Sequence, residues 1–488
     1  MEDLNVSNLA EKSAINRISA LVDENSFVEI GALVNARSTD FNLQDKETPG
    51  DGVVTGYGVI DGNLVYVFSQ DASVLGGSIG EMHAKKIAKI YELAMKMGAP
   101  VIGLIDCAGL RLQESTDALN AFGEIYSKQA LASGVIPQIT AIFGNCGGGL
   151  GIVPTLSDFT FMSDAGKLFV TSPNALDGNN EGKCDTASAA YQSEVSGLVD
   201  FVGTEAEVLA NIRQLVSILP SNNEEDSVLD ECSDDLNRVC ADLENCVEDT
   251  SIALVNISDG NFFVEVKAGY AKEMVTGFIK LNGVTVGAIA NRTKVYDDEM
   301  KVTDEFEARL TTAGSTKAAE FVEFCDAFNI PVLTLTNTKG FATSVEEEKT
   351  ISKAVAKLTY AFANATVPKV NVVIGHAFGS AYVAMNSKSV GADIVYAWTD
   401  TKIGTMCPKE AVRIIYADEI RNAEDKNAFI EEKAAEYKAL QSSAVSAAKR
   451  GYVDSIILAQ DTRKYVIGAF EMLYTKREER PVKKHGTV

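Results

Sequence analysis

The sequence predicts an α/β protein made of two copies of one unit, each built on largely parallel β-structure. Three observations support this prediction: an ordered internal repeat, short apolar strands that alternate with helical segments, and an acidic segment between the copies. A chain of 488 residues also exceeds what one ordinary core organises. We therefore expect domains over residues 1–225 and 251–488, joined by a linker over residues 226–250.

The internal repeat begins with a β-hairpin in each copy. GYGVIDGNLVYVF from Gly56 resembles GFIKLNGVTVGAI from Gly277, and each contains a central turn signal, Asp-Gly or Asn-Gly. Beyond the hairpins the glycines and prolines of the copies match at one fixed offset, as Gly148 does with Gly379. A series of matches in order at nearly constant spacing indicates duplication.

Apolar runs predict the strands that follow each hairpin. They are VIGLID and ITAIFG, from Val101 and Ile139, in the first copy, and VLTLTN and VNVVIG, from Val332 and Val370, in the second. Strands that are apolar along their whole length are typical of parallel sheets covered by helices. Between the copies, residues 221–250 are rich in Asp and Glu, which favours a solvated linker.

Lys96 lies in AMKM, residues 94–97, which is the tetrapeptide that usually surrounds a biotinylated lysine. The apolar residues before it recur at helical spacing, and Gly98 and Pro100 then end the segment. A carrier lysine has to stand at the tip of an exposed β-turn, whereas this lysine falls in the last turn of a predicted helix. We therefore predict that Lys96 carries no biotin.

Two glycine clusters follow apolar strands at matching places, GNCGGGLG at residues 144–151 and GHAFGSAY at residues 375–382. A second turn accompanies each cluster, DCAGLR at residues 106–111 and NTKGFA at residues 337–342. Backbone N–H groups in such turns can hold a carbonyl oxygen as it gains negative charge, which suits an enolate. The same glycines would also allow close packing of helix on strand, but their recurrence favours oxyanion holes.

Composition and the remaining motifs exclude several other classes. The net charge of −24 argues against nucleic acid or anionic lipid as direct partners. The eight cysteines and three histidines lack metal-ligand spacing, so we predict no metal site. Of the histidines, His83 lies in a predicted helix, His485 lies in the C-terminal tail, and His376 is either an acid–base group or a polar turn residue. The first residues lack the apolar core of a secretory signal, and no run is long enough to cross a membrane, so we expect a cytoplasmic protein.

Longer segments of the sequence resemble one family. NRISALVDENSFVEI from Asn16, PGDGVVTGYGVIDGNLVYVFSQD from Pro49, KAAEFVEFCDAFNIPVLTL from Lys317 and EMLYTKREERPVKKHG from Glu471 carry the resemblance, which covers nearly the whole chain. They are similar to the biotin-dependent acyl-CoA carboxyltransferases, which include the β chains of propionyl-CoA carboxylases and the α chains of methylmalonyl-CoA decarboxylases. The resemblance implies a tandem pair of crotonase-like domains with the spiral ββα repeat of the ClpP/crotonase fold.

The resemblance also implies the reaction and its residues. A carboxyl group moves between the N1 atom of biotin and the α-carbon of an acyl-CoA, and a separate biotin carrier protein brings the biotin. The catalytic residues of the family fall on one adjacent pair in each copy, Gly148 and Gly149, and Ser380 and Ala381. The candidates for binding the acyl-CoA and the cofactor are Gly109, Gly340, Phe341 and Gly379. The expected assembly is a homo-oligomer, a dimer or a hexamer, in which the first domain of one chain and the second domain of another form each site.

Several turns depart from the family pattern, at residues 107–111, 339–344 and 375–376, so the substrate and the direction of transfer stay open. We favour a decarboxylase complex in which a malonyl-CoA or methylmalonyl-CoA substrate gives its carboxyl group to biotin. Membrane subunits would release the CO₂ and hold the chain at the membrane surface. One alternative is a carboxylase fed by an ATP-dependent biotin carboxylase. Others are a biotin-independent crotonase-type enzyme with an acid such as Glu114 near the thioester, and a scaffold whose altered turns have closed one site.

Overall fold

The computed structural model describes residues 14–37, 40–297, 299–481 and 486. The chain forms two compact units, Met1–Asp226 and Ser227–Val488. The expectations about the first residues and about His485 lie outside the described residues. The predicted domain limits, with a linker over residues 226–250, stay a prediction.

The first unit is built on a single eight-stranded sheet. Its strands are β1 Val28–Glu29, β2 Val53–Ile60, β3 Asn63–Gln70, β4 Val101–Cys107, β5 Gln138–Gly147, β6 Phe159–Ser163, β7 Lys167–Phe169 and β8 Phe201–Gly203. They follow the order β1-β2-β3-β4-β5-β6-β8, and β7 pairs with β5. β2 and β3 form the antiparallel hairpin predicted at Gly56, and the strands from β3 onward pair in parallel.

Helices pack on this sheet and explain why its central strands are apolar throughout. They are α1 Ala14–Leu21, α2 Glu81–Met97, α3 Ser115–Ala132, α4 Asn179–Gly182, α5 Ala189–Glu194 and α6 Glu205–Ile218. α2 contacts β2 and β3, and α6 contacts β2, β5 and β6. Ile87 of α2 and Ile212 of α6 are fully buried, as is Leu104 of β4. Burial of such aliphatic side chains stabilises the unit by about 2 kcal/mol each.

The second unit repeats this plan with its own eight-stranded sheet and a separate two-stranded one. Its strands are β9 Phe263–Val266, β10 Met274–Leu281, β11 Val284–Asn291, β12 Lys294–Tyr296, β13 Val302–Glu305, β14 Val332–Thr338, β15 Lys369–Phe378, β16 Ile394–Trp398, β17 Lys402–Gly404 and β18 Ser455–Ile457. The large sheet has the order β18-β16-β15-β14-β11-β10-β9, β17 pairs with β15, and β12 pairs with β13.

The second unit has more helices than the first. They are α7 Thr250–Ile257, α8 Thr312–Ala327, α9 Val345–Glu348, α10 Ile351–Asn364, α11 Gly379–Ala384, α12 Pro408–Ile415, α13 Ala417–Asn422, α14 Lys426–Gln441, α15 Ala444–Lys449 and α16 Thr462–Leu473. Across the described ranges, no helix combines the length and the apolar character that crossing a membrane requires.

The strand registers show the duplication directly. Val101 lies opposite Gln138 between β4 and β5, and Val332 lies opposite Lys369 between β14 and β15, which preserves the offset of the matched glycines. The N–H of Val101 donates to the carbonyl oxygen of Pro137 at 3.0 Å, and the N–H of Val332 donates in the same way to that of Pro368 at 2.9 Å. The predicted α/β fold with two parallel-rich sheets is therefore confirmed.

Two additions distinguish the second unit, and the sequence comparison of the copies did not reveal the structure of either one. The segment between Asn291 and Leu310 is longer than its first-unit counterpart between Gln70 and Ile79, and it contains the β12–β13 hairpin. Helices α12 to α14 form the other addition, after β17. Each addition does change the spacing of matched residues: the offset is 221 for Gly56 and Gly277 but 231 for Gly148 and Gly379, which marks the length of an insertion and not its structure.

Residues 227–250 pack on the second unit, where the sequence favoured a solvated linker. Cys240 and Leu243 are buried in the core of that unit. Leu229 forms a β-bridge with Val284, the first residue of β11. The buried positions of Cys240 and Leu243 were not predicted, because Asp and Glu dominate the composition of the segment.

A buried arginine joins the acidic segment to the unit. Arg463 of α16 is fully buried and donates to the carbonyl oxygens of Ile257 at 2.7 Å and Asp235 at 3.2 Å. Its guanidinium also lies 2.6 Å from the carboxylate of Asp259. A charge this deeply buried is stable only with such partners.

We expect Arg463→Met to lower the free energy of unfolding by about 3–5 kcal/mol, because the largely buried Asp259 loses its cation. The matched control is Arg421→Met, since Arg421 pairs with Asp418 at an exposed surface and such pairs contribute about 1 kcal/mol or less. Urea denaturation of both variants measures the difference. Equal losses for the two variants would show that Arg463 does not hold the segment.

Candidate active site

The first glycine turn lies at the end of β5. That strand ends at Gly147, and Gly148–Ile152 continue as a short 3-10 helix that no side chain caps. Gly148 has a φ of +64°, and a side chain added there would meet no atom within 4 Å. The first N–H groups of a helix have no carbonyl partner inside it. The N–H groups of Gly148 and Gly149 therefore have no partner within the turn, and the space where a side chain of Gly148 would lie is open.

Tyr126 of α3 holds this turn in place. Its hydroxyl donates a hydrogen bond to the carbonyl oxygen of Gly149, and its ring lies 6.0 Å from that of Phe122. Burial raises the pKa of Tyr126, so the hydroxyl stays protonated as a donor. This bond restrains a glycine segment that would otherwise have wide conformational freedom.

Gly109 lies beside the first glycine turn, as the sequence predicted for the residues of the second turn. Gly109 has a φ of +102°, and a side chain added there would lie 3.6 Å from the carbonyl oxygen of Gly147. Its own N–H, however, points at the thiol sulfur of Cys107 at 3.2 Å. Burial raises the pKa of that thiol to about 12, so it stays protonated. Gly109 therefore shapes the turn, while its N–H is already engaged by a weak acceptor.

Asp106, the last polar residue of β4, lies directly against the α-carbon of Gly144 in β5, where no side chain would fit. The carboxylate is held by Arg17 at 3.1 Å, and Arg17 also binds Glu205 at 3.1 Å. Arg17 is almost fully buried and stacks on the ring of Phe143. These side chains fix the spacing between the carboxyl ends of β4 and β5, from which both turns start.

The second unit carries an equivalent turn at the start of α11. Gly379 has a φ of +63°, and a side chain there would come within 3.2 Å of the carbonyl oxygen of Thr405. No side chain caps this helix, Ser380 is exposed and Ala381 is buried. The first N–H groups of this helix, which include those of the predicted Ser-Ala pair, have no carbonyl partner within it, but Ala381 is fully buried and only Ser380 of the pair reaches the surface.

Gly340 and Phe341 form the neighbouring turn of the second unit. Gly340 has a φ of +145°, and its N–H lies 3.4 Å from the hydroxyl of Thr338, the counterpart of Cys107. The carbonyl oxygen of Phe341 accepts a hydrogen bond from Arg309 at 3.0 Å. The structure thus brings each predicted second turn close to the glycine cluster of its own unit.

Biotin is the cofactor that the resemblance implies for the second-unit turn. Two adjacent N–H groups at the start of a helix, such as those of Ser380 and Ala381, have no partner inside the helix. A cavity of about 530 Å³ lies beside this end of the sheet, and its lining includes Asn337, Lys339 and His376. The residues that line this cavity do not include Ser380 or Ala381, so the cavity lies next to the turn and is not formed by it. In the described part of the chain, no cluster of three or more His, Cys, Asp or Glu side chains could hold a metal ion.

His376 is present in the neutral form at the carboxyl end of β15. Burial, together with the nearby charges of Lys339 and Lys402, lowers the pKa of His376 to about 4. Its ring packs edge-on against Phe378, and its backbone N–H is held by Asn337 at 2.9 Å. A neutral imidazole at this place can accept or donate one hydrogen bond, and it contributes no charge of its own.

Glu114, the acid that a crotonase-type mechanism would need, is engaged in the core of the first unit. It is almost fully buried, pairs with Arg111 at 2.8 Å and accepts the N–H of Glu81 at 2.6 Å. Arg111 in turn pairs with the buried Asp51 at 2.5 Å, and burial of Asp51 raises its pKa. This network was not predictable from the sequence, because Asp51 and Glu81 are far in the chain from Arg111 and Glu114. Glu114 thus has a structural place rather than one beside a substrate.

Lys96 lies in the last turn of α2, which ends at Gly98 in the left-handed conformation. The lysine is exposed, but it projects from a regular helix and not from a β-turn. The predicted helical context of the AMKM segment is therefore confirmed.

Comparison with known proteins places these features in context. A family model described as a carboxyl transferase domain matches residues 8–488. The chain is 40% identical to the methylmalonyl-CoA decarboxylase subunit alpha of Propionigenium modestum, over 98% of this chain and 93% of that one. It is also 40% identical to the propionyl-CoA carboxylase carboxyltransferase subunit of Haloferax mediterranei, with the same coverage of 98% and 93%. Among solved structures, the transcarboxylase 12S hexamer with hydrolysed methylmalonyl-CoA bound matches with a TM-score of 0.92 and 36% identity, over 99% of this chain and 93% of that one.

We expect Gly148→Val to reduce turnover by about 100-fold or more, because a branched side chain would fill the space in front of the proposed oxyanion hole. The positive φ makes this substitution cost about 1–2 kcal/mol of stability. Gly451→Val is the matched control, since Gly451 also has a positive φ and open space around it. Kinetics and thermal unfolding of both variants separate the two effects. Unchanged turnover in Gly148→Val would remove this turn from the site.

We expect Glu114→Gln to lower the free energy of unfolding by about 1–3 kcal/mol, because Arg111 loses a buried ionic partner. The turnover number of the folded enzyme should change little. Glu124→Gln, at a half-buried position of α3, serves as the control. A large loss of turnover without a loss of stability would instead assign Glu114 to the chemistry.

Proposed function

The chain belongs to the carboxyl transferase domain family and is an enzyme, and on that premise we propose the following specific activity. It moves the carboxyl group of a malonyl-CoA or methylmalonyl-CoA type substrate to biotin that a separate subunit carries, within a decarboxylase complex. The observation that carries this proposal is the repeated turn, one in each crotonase-like unit, in which small residues leave adjacent backbone N–H groups uncapped. Two such turns suit a reaction in which two carbonyl-type oxygens gain negative charge.

The first-unit turn stabilises the thioester in this proposal. When the bond between the α-carbon and the carboxyl group breaks, its electron pair moves toward the thioester oxygen and forms an enolate. The N–H groups of Gly148 and Gly149 donate hydrogen bonds to that oxygen, and Tyr126 holds the turn so that little reorganisation is needed. The open space at Gly148 is what admits the thioester.

The second-unit turn receives the second substrate. When bound, biotin would supply the nitrogen atom that takes up the carboxyl group and the proton that the α-carbon needs, so the transfer would consume no other reactant. The N–H groups of Ser380 and Ala381 bind the urea oxygen and favour charge on it as the nitrogen loses its proton. Ser380 serves here through its backbone, which is why a serine is acceptable where the family has glycine.

The proposed partners follow from the separate roles of the two turns. A biotin carrier protein has to deliver the cofactor, since Lys96 lies in a helix. Membrane subunits of a decarboxylase would release the CO₂, and the chain would be cytoplasmic and held at the membrane through them. The solved transcarboxylase relative is described as a hexamer, which supports a homo-oligomer here as well.

One specific observation also supports the opposite direction of transfer. The chain is as similar to a propionyl-CoA carboxylase subunit as to a decarboxylase subunit, at 40% identity to each. In that second candidate function an ATP-dependent biotin carboxylase would charge the biotin, and the same two turns would serve the reverse transfer.

The direct test is decarboxylation of malonyl-CoA and methylmalonyl-CoA by the purified chain, with and without free biotin. We expect turnover that requires biotin, because in this proposal biotin is the acceptor of the carboxyl group. Mass spectrometry of the same sample should show Lys96 without biotin.

Acetyl-CoA, which has no carboxyl group to give, is the matched control substrate. Turnover without biotin would contradict the proposal and favour a crotonase-type enzyme. Biotin found on Lys96 would contradict the separate carrier.

A further inference from the structure

Three side chains form a row across neighbouring strands at the carboxyl end of the second sheet. Lys339 directly follows β14, His376 lies in β15 and Lys402 lies in β17. His376 and Lys402 are direct partners in the parallel ladder, and Lys339 follows Thr338, whose partner in β15 is Ala377. Ligands of parallel α/β sheets bind at this end of the strands.

The row lies beside a cavity that three acids also line, Glu248, Glu305 and Glu307. Among the described residues, neither Lys339 nor Lys402 makes an ion pair. The other cations that line the adjacent cavity are paired, Lys294 with Glu248 at 2.9 Å and Arg309 with Glu307 at 2.6 Å. The remaining acid of the lining, Glu305, lies opposite Lys294 in the β12–β13 hairpin.

The corresponding three positions of the first unit carry no unpaired positive charge. Ala108 replaces Lys339 there, and Asn145 replaces His376. Lys167 is the counterpart of Lys402, as its pairing with Asn145 shows, but Asp185 neutralises it at 2.7 Å. The two units therefore share a backbone plan, but among these positions only the second unit has lysines without an ion-pair partner.

The cavity next to the row has no equivalent wall in the first unit. It measures about 530 Å³, and Lys339 and His376 line it together with residues of the β12–β13 hairpin. That hairpin belongs to the segment that is longer in the second unit. The inserted β12–β13 hairpin and Lys339 therefore lie beside the same cavity.

We propose that Lys339, His376 and Lys402 form a carboxylate-binding subsite beside the second-unit turn. A carboxylate is the ligand that two lysines and one neutral imidazole donor would hold, through charge-assisted hydrogen bonds. This inference rests on the proposed function, which supplies a carboxylate from either of two sources: the free carboxylate of the malonyl-type thioester, or the carboxylate on biotin after transfer. The subsite would hold the group that the reaction moves.

The test uses the full chain and the substitutions Lys339→Ala and His376→Asn, which install the first-unit residues. Lys353→Ala, at an exposed position of α10, is the matched control. Equilibrium binding of malonyl-CoA and acetyl-CoA is measured first, because the two differ only in the carboxylate. The KM for carboxylated free biotin as donor to acetyl-CoA, and the inhibition constant of plain biotin, are measured next.

If the thioester carboxylate is bound, Lys339→Ala weakens malonyl-CoA binding roughly tenfold and leaves acetyl-CoA binding unchanged. If the carboxylate on biotin is bound, the KM for carboxylated biotin rises roughly tenfold while inhibition by plain biotin is unchanged. Values for both site variants that match Lys353→Ala, in an active wild-type enzyme, would overturn the subsite. Loss of all transfer in the wild-type enzyme would instead overturn the proposed function, and the malonyl-CoA preference in binding would then decide the subsite alone.

Discussion

In each unit a polar side chain at the end of one central strand lies directly against a glycine of the next strand. Asp106 lies on Gly144 in the first unit, and Asn337 lies within 2.5 Å of where a side chain of Gly375 would begin in the second. This contact sets the distance between two parallel strands just where each gives way to a turn. The oxyanion turns, their spacing and their open faces all follow from it, since any larger residue at these glycines would push the strand ends apart.

Duplication explains why the two sites share a backbone and differ in charge. The registers and the backbone hydrogen bonds repeat closely, so both units retain the same strand ends and turns. Side chains around the turns have diverged: Arg17 ties down Asp106 in the first unit, whereas the second unit has the neutral Asn337. A chemistry that relies on backbone amides allows this divergence, because the essential donors do not depend on side-chain identity.

The sequence alone was sufficient to predict the structural features that depend on local or repeated patterns. The hairpin at Gly56, the central strands, the matched glycines and the helix that contains Lys96 were all predictable, because each depends on local propensity or on a periodic pattern. The structures of the β12–β13 hairpin and of the added helices were not, since a change of offset between the copies marks only the length of an insertion. The buried pairs of Arg111 and Arg463 were also missed, because charge patterns in a sequence do not show which distant residues meet. The contacts of Asp106 and Asn337 with glycines could have been predicted from the sequence, because each is a polar residue that precedes the turn of its copy.

The most direct measurement of the central claim is a crystal structure of the chain with a non-hydrolysable methylmalonyl-CoA analogue. The account predicts that the oxygen replacing the thioester carbonyl lies within about 3 Å of the backbone nitrogens of Gly148 and Gly149. It also predicts that no carboxylate or imidazole side chain contacts that oxygen. An oxygen bound by the side chain of Glu114, or held at the turn that begins at Gly379, would contradict the account.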